Sequence, residues 1–109
     1  MEKNLFEHST VFRFQEKVEY SPEGIVSKRV IDQPVGTVTL FAFDKGQRLS
    51  THSAPYDAMV QVIEGEAEIV ISDQPFRLGA GETIVMPAGL PHAVNATDKF
   101  KMILTMIKG

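Results

Sequence analysis

The sequence predicts an all-β protein whose short strands close on themselves as a jelly roll or a similar barrel. Three observations carry that prediction. From Ile25 onward, short runs rich in β-branched and aromatic residues follow one another along the chain. Gly, Pro or Asp turn signals separate these runs, and no long helical period interrupts them. Eight or more short strands within 109 residues must also deal with their unpaired edges, which a closed sheet removes. One domain, 1–109, is expected at this length, with 1–24 as N-terminal strands or an arm and 25–109 as the barrel.

In order along the chain, Leu5-Phe6 reads as the start of a helical turn, while Val11, Phe12 and Phe14 read as one strand and Val18-Glu19-Tyr20 as another. Thr37 to Phe43 alternates with a period of two, so that each face meets a different environment. Asp44-Lys45-Gly46 turns the chain. Ala58 to Ile63 and Glu66 to Ile71 read as a hairpin joined by Glu64-Gly65. Ser72-Asp73-Gln74-Pro75 is a turn cluster, Phe76-Arg77-Leu78 a very short strand and Thr83 to Met86 another. Pro87-Ala88-Gly89-Leu90-Pro91 must be a loop, because two prolines lack amide donors. His92 to Ala96 resumes the sheet. Phe100 to Ile107 closes it, with both faces mostly apolar, as in a sandwich core or a subunit interface.

Composition narrows the partners. Apolar residues make up 43% and charged residues 23%, the balance of an ordinary globular protein. The net charge of −3 is spread along the chain with no Lys/Arg block, which argues against nucleic acid. No apolar run approaches the roughly 20 residues of a membrane span or forms the core of a signal peptide, so no membrane partner and a cytoplasmic location are expected. The chain has no cysteine, so any metal must be held by nitrogen and oxygen.

Two stretches concentrate chemistry-bearing residues. Gly46-Gln47-Arg48-Leu49-Ser50-Thr51-His52 runs on to Glu64-Gly65, and Gly81-Glu82-Thr83-Ile84-Val85-Met86-Pro87-Ala88-Gly89-Leu90-Pro91-His92 follows. Together they resemble the two motifs of the cupin superfamily, with Gly46, His52, Gly65, Gly81, Pro87, Gly89 and His92 in register. The resemblance implies a double-stranded β-helix, commonly a homodimer, with a small-molecule ligand in the barrel mouth. It also implies a divalent metal on two histidines, a glutamate and a further histidine. Here His52 and His92 fill the first and last of those positions, while Ala54 and Ala58 stand where the second histidine and the glutamate would be.

Two imidazoles suit Zn, Ni, Fe or Mn, but a two-His site without a carboxylate binds more loosely than the full set. Asp57 stands one position before the lost carboxylate and serves as a pocket residue only if Pro55-Tyr56 holds it in a turn; otherwise it is a solvated turn residue or a cap. Parity places Asn95 outside the pocket and Ala96 inside it. With Ala54 and Ala58 in place of His and Glu, the cavity is expected to be more apolar, flanked by Val60, Val62 and Val94. His8 reads as a surface side chain, and Met59, Met86, Met102 and Met106 as core filler. Three functions remain open: an enzyme of dioxygenase or isomerase type using a metal or a histidine acid/base, a non-catalytic binding or sensing barrel, and a structural dimerisation module.

Overall fold

The computed structural model describes residues 5–108. Eight strands make up nearly all of its regular structure: β1 (Ile25–Gln33), β2 (Gly36–Phe43), β3 (Arg48–His52), β4 (Asp57–Ile71), β5 (Gln74–Gly79), β6 (Thr83–Met86), β7 (His92–Asn95) and β8 (Phe100–Ile107). The all-β expectation holds, and every strand pairing is antiparallel. Two sheets share β4. Its first half lies in the sheet with β1, β2, β8 and β6, and its second half in the sheet with β3, β7 and β5. This is the double-stranded β-helix, a sheet folded on itself around a core between its two halves.

The expected hairpin at Glu64-Gly65 is not there. Ala58 to Ile71 is part of one continuous strand that bends from the first sheet into the second. A register shift between Val62 and Glu64 marks the bend, and Gly65 lies at φ +78°. A Cβ on Gly65 would stand 2.1 Å from the Lys99 carbonyl oxygen, so the crossing requires glycine. A glycine at a sheet-changing bulge and one in a tight turn leave the same mark in sequence. The true hairpin follows, where Ser72 and Asp73, at φ 49° and 67°, turn β4 into β5. That turn starts where the sequence suggests but is two residues shorter, and β5 takes in Gln74 and Pro75.

Residues 5–24 form no strand, which corrects the expectation for Val11 to Phe14 and for Val18 to Tyr20. Leu5-Phe6 lies in a turn, and the only helical element described is a 3-10 turn at Phe14–Glu16. The segment is an arm laid across the first sheet. Phe6 and Val18 from the arm pack with Leu40, Ala42 and Ile103 in one buried cluster, while Phe43, Val60, Val62, Ile69, Phe100 and Met102 form the core between the sheets. Alternation along β2 and β8 produces both, since successive side chains point to opposite faces. The apolar second face of β8 is thus explained at Ile103 by the chain's own arm.

Polar contacts tie the arm down. Lys101, only 7% exposed, donates from Nζ to the Gln15 carbonyl at 2.8 Å and lies 3.5 Å from Glu64 Oε2. The Tyr20 hydroxyl donates to the same carboxylate oxygen at 2.5 Å, and Lys28 Nζ donates to the Lys17 carbonyl at 2.8 Å. A buried ammonium is tolerable only with such partners. Burial, and then the Glu64 carboxylate, hold the Tyr20 hydroxyl well above the usual phenol range.

Candidate functional site

His52 ends β3 and His92 begins β7, and the two are directly paired across the strands. A register shift between Leu49 and His52 brings them opposite one another: Leu49 pairs with Val94, so one extra β3 residue is accommodated before His52. Their rings meet edge to face with centroids 4.4 Å apart. His52 is exposed and His92 is buried. One histidine therefore opens to solvent while the other backs onto the core.

Each ring is oriented by a backbone carbonyl two residues upstream. His52 Nδ1 lies 2.9 Å from the Ser50 oxygen and His92 Nδ1 lies 3.3 Å from the Leu90 oxygen. A carbonyl can only accept, so in these contacts Nδ1 carries the hydrogen and the Nε2 lone pair stays available. Neither Nε2 has a protein partner among the described residues. Burial, and next the neighbouring His52, push the His92 imidazole below its ordinary pKa of 6.5, partly opposed by the Leu90 carbonyl.

The loop that delivers His92 is fastened to the start of β4 and to the segment before it. Gly89, at φ +80°, donates its amide to the Ala54 carbonyl at 2.8 Å, and Ala88 donates to Asp57 Oδ1 at 2.9 Å. Asp57 is exposed and caps this loop, while Ala54 is half-buried beside it. Ala58, Val60, Val62, Val94 and Ala96 are buried together in the core between the sheets. Asn95 points the other way, as its parity requires, and its side-chain amide donates to Glu68 Oε1 at 3.0 Å. The structure thus brings His52 and His92 together, with Val94 on the core-facing side of β7 and Ala96 buried just beyond its end. The carbonyls of Ser50 and Leu90 could not have been found from sequence, because a backbone acceptor leaves no trace in residue identity.

No group of three or more His, Cys, Asp or Glu side chains suited to a metal ion occurs among the described residues. The donor set is two imidazole nitrogens. Motif register, the sheet-sharing β4 and this histidine pair all point one way, and the family profile described as Cupin domain (Cupin_2) matches residues 39–108. The chain belongs to the cupin family.

Among solved structures, a conserved protein of unknown function from Streptococcus pyogenes is 39% identical, with 97% of this chain and 93% of that one covered at a TM-score of 0.92. A cupin 2 conserved barrel domain protein from Leptotrichia buccalis is 43% identical over 89% of this chain and 47% of its own, at a TM-score of 0.87. Among curated proteins, dimethylsulfoniopropionate lyase DddQ from Ruegeria pomeroyi is 34% identical over 59 residues, which are 53% of this cupin and 29% of the lyase. This cupin therefore spans less than a third of the lyase it matches. Among its described residues no helix is long and apolar enough to cross a membrane.

Proposed function

We propose that this cupin binds a small organic molecule beside His52 and His92, with the two Nε2 atoms acting as a weak, two-point site for a divalent metal. The observation that carries this reading is the double orientation of the pair: both Nδ1 atoms are engaged by carbonyls and both Nε2 lone pairs are left open. Two imidazoles fit a borderline ion such as Zn, Ni, Fe or Mn. When bound, the ion would act as a Lewis acid toward a ligand oxygen. The protein's own contribution is orientation, through Ser50 and Leu90, and a partly dry setting at His92. The resemblance over 59 residues to a lyase acting on a small organic substrate supports the ligand class.

A metal-free reading has one observation in its favour. The lowered pKa of His92 keeps its imidazole neutral near neutral pH, the state a general base needs. Elemental analysis of protein purified without a metal-affinity tag, alongside His52→Ala and His92→Ala, separates the two. Stoichiometric metal lost in both variants supports the two-histidine site. A metal-free wild type that also fails to take up added Zn, Ni, Fe or Mn overturns it and leaves acid/base or binding chemistry.

We also infer that two copies pair, using the end of the first sheet that the arm leaves bare. An almost wholly apolar cleft of about 500 Å³ lies there, lined by Ile31, Val35, Val38, Met106 and Ile107 among others. Val35 and Ile107 are 63% and 61% exposed, more than isolated surface side chains need explain when they lie together. Phe100 and Ile103 are buried within the chain itself, so they belong to its cores and are unsuitable probes of pairing.

A further inference from the structure

A second cleft lies on the outward side of the sheet that carries the histidines. It has a volume of about 260 Å³ and is lined by Arg48, Leu49, Ser50 and Thr51 from β3, Ala93 and Asn95 from β7, and Val70 from β4. Ala93, Asn95 and Val70 alternate with the core residues Val94 and Ile69, so the cleft and the barrel interior are on opposite faces of the same strands. The register shift that aligns the histidines also inserts the extra residue that brings Ser50 and Thr51 together at this edge.

Arg48 distinguishes the cleft chemically. The chain has four arginines, and three pair with a carboxylate: Arg13 with Glu16, Arg29 with Asp32 and Arg77 with Glu66. Arg48 has no such partner among the described residues, nor do the Ser50 and Thr51 hydroxyls have hydrogen-bond partners there. The carboxylate in the next strands, Glu68, is already engaged by the Asn95 amide. Beside these donors, Val70 and Ala93 form a small apolar floor.

We propose that this cleft is a binding site for a small monocarboxylate, its anionic group on Arg48 and the Ser50 and Thr51 hydroxyls and its short apolar tail over Ala93 and Val70. An arginine fork matches a carboxylate by two parallel hydrogen bonds, and hydroxyls serve as further donors. The volume falls just below the usual range for drug-sized pockets, which limits the ligand to a short acid. Glu68 beyond Asn95 repels an anion from the far end and keeps it at the β3 edge. The net charge of −3 offers no general attraction, so binding here is local. Because the Ser50 carbonyl orients His52, occupation of the cleft also shifts the His52 ring.

The test is an NMR titration of the full chain with sodium propionate at constant ionic strength, with propylammonium chloride as the cationic control. Saturable shifts at the Arg48 Nε–H of the wild type and at the amides of Ser50, Thr51, Ala93 and Asn95, the affinity read from the amides falling about tenfold or more in Arg48→Gln and being retained in Arg77→Gln, support the site. Absence of saturation, equal shifts in Arg48→Gln, or equal binding of propylammonium overturns it. An unchanged spectrum elsewhere in Arg48→Gln shows that the variant is folded.

Discussion

Two polar constructions on this barrel differ in how completely their hydrogen-bonding capacity is used. Beneath the arm, Lys101 is partnered by Glu64 and the Gln15 carbonyl, and Glu64 is shared with Tyr20. At the edge of the other sheet, His52 and His92 each have one nitrogen engaged and one open. The first arrangement fastens a segment, whereas the second presents lone pairs in a fixed direction. The degree of saturation therefore separates a structural network from the candidate site, although both are built from titratable side chains.

Breaking the saturated network is expected to have the largest effect on stability. Glu64→Ala leaves the Lys101 ammonium buried without its carboxylate and should destabilise the fold by about 2 kcal/mol in urea denaturation, less than a fully buried pair because Glu64 is part-exposed. Replacing both partners, as Glu64→Gln with Lys101→Met, should recover part of that loss. Next in size is Asp57→Ala, which removes the cap on the Ala88 amide. It should cost about 1 kcal/mol and loosen the loop carrying His92, seen as faster amide exchange at Ala88 and Gly89. An unchanged exchange rate would show that the Gly89–Ala54 hydrogen bond and the prolines hold the loop without Asp57.

The histidine pair should behave in the opposite way. His52→Ala is expected to change stability by less than about 0.5 kcal/mol, since the ring is exposed, while weakening Zn uptake about tenfold or more in competition with a chromogenic chelator. His92 adds a pH signature. Its pKa is lowered on folding, so the unfolded chain binds the proton more tightly. The stability it contributes is complete above the ordinary value of 6.5 and is lost as pH falls through the lowered one. Urea midpoints at about pH 8 and about pH 5 should differ less in His92→Gln than in the wild type. At the arm-free end of the barrel, Ile107→Asp should leave the monomer fold intact and shift sedimentation from dimer to monomer; a wild type already monomeric would remove the pairing proposal.

Much of the fold was legible because short-range rules governed it. Thr83–Met86 and Phe100–Ile107 occupy the spans their patterning predicts, and Pro87 to Pro91 is the expected loop. The errors fall where a local signal has two structural meanings. Gly65 looked like a turn glycine because a bulge and a turn both need positive φ, and the difference lay in the approach of Lys99 from a distant part of the chain. The arm looked like strands because Phe12 and Phe14 suit a half-buried surface, which the outer face of the first sheet supplies without any hydrogen-bonded ladder, while Val11 beside them stays fully exposed.

By itself the sequence determined the all-β class, the family motifs and the two histidines, because glycine and proline punctuation and period-two alternation act over a few residues. The tertiary structure alone decided that β4 serves two sheets, that the arm covers one face, and that each histidine keeps its Nε2 open. Those outcomes depend on which backbone carbonyl or distant side chain lies opposite a residue, and only the closed barrel sets that.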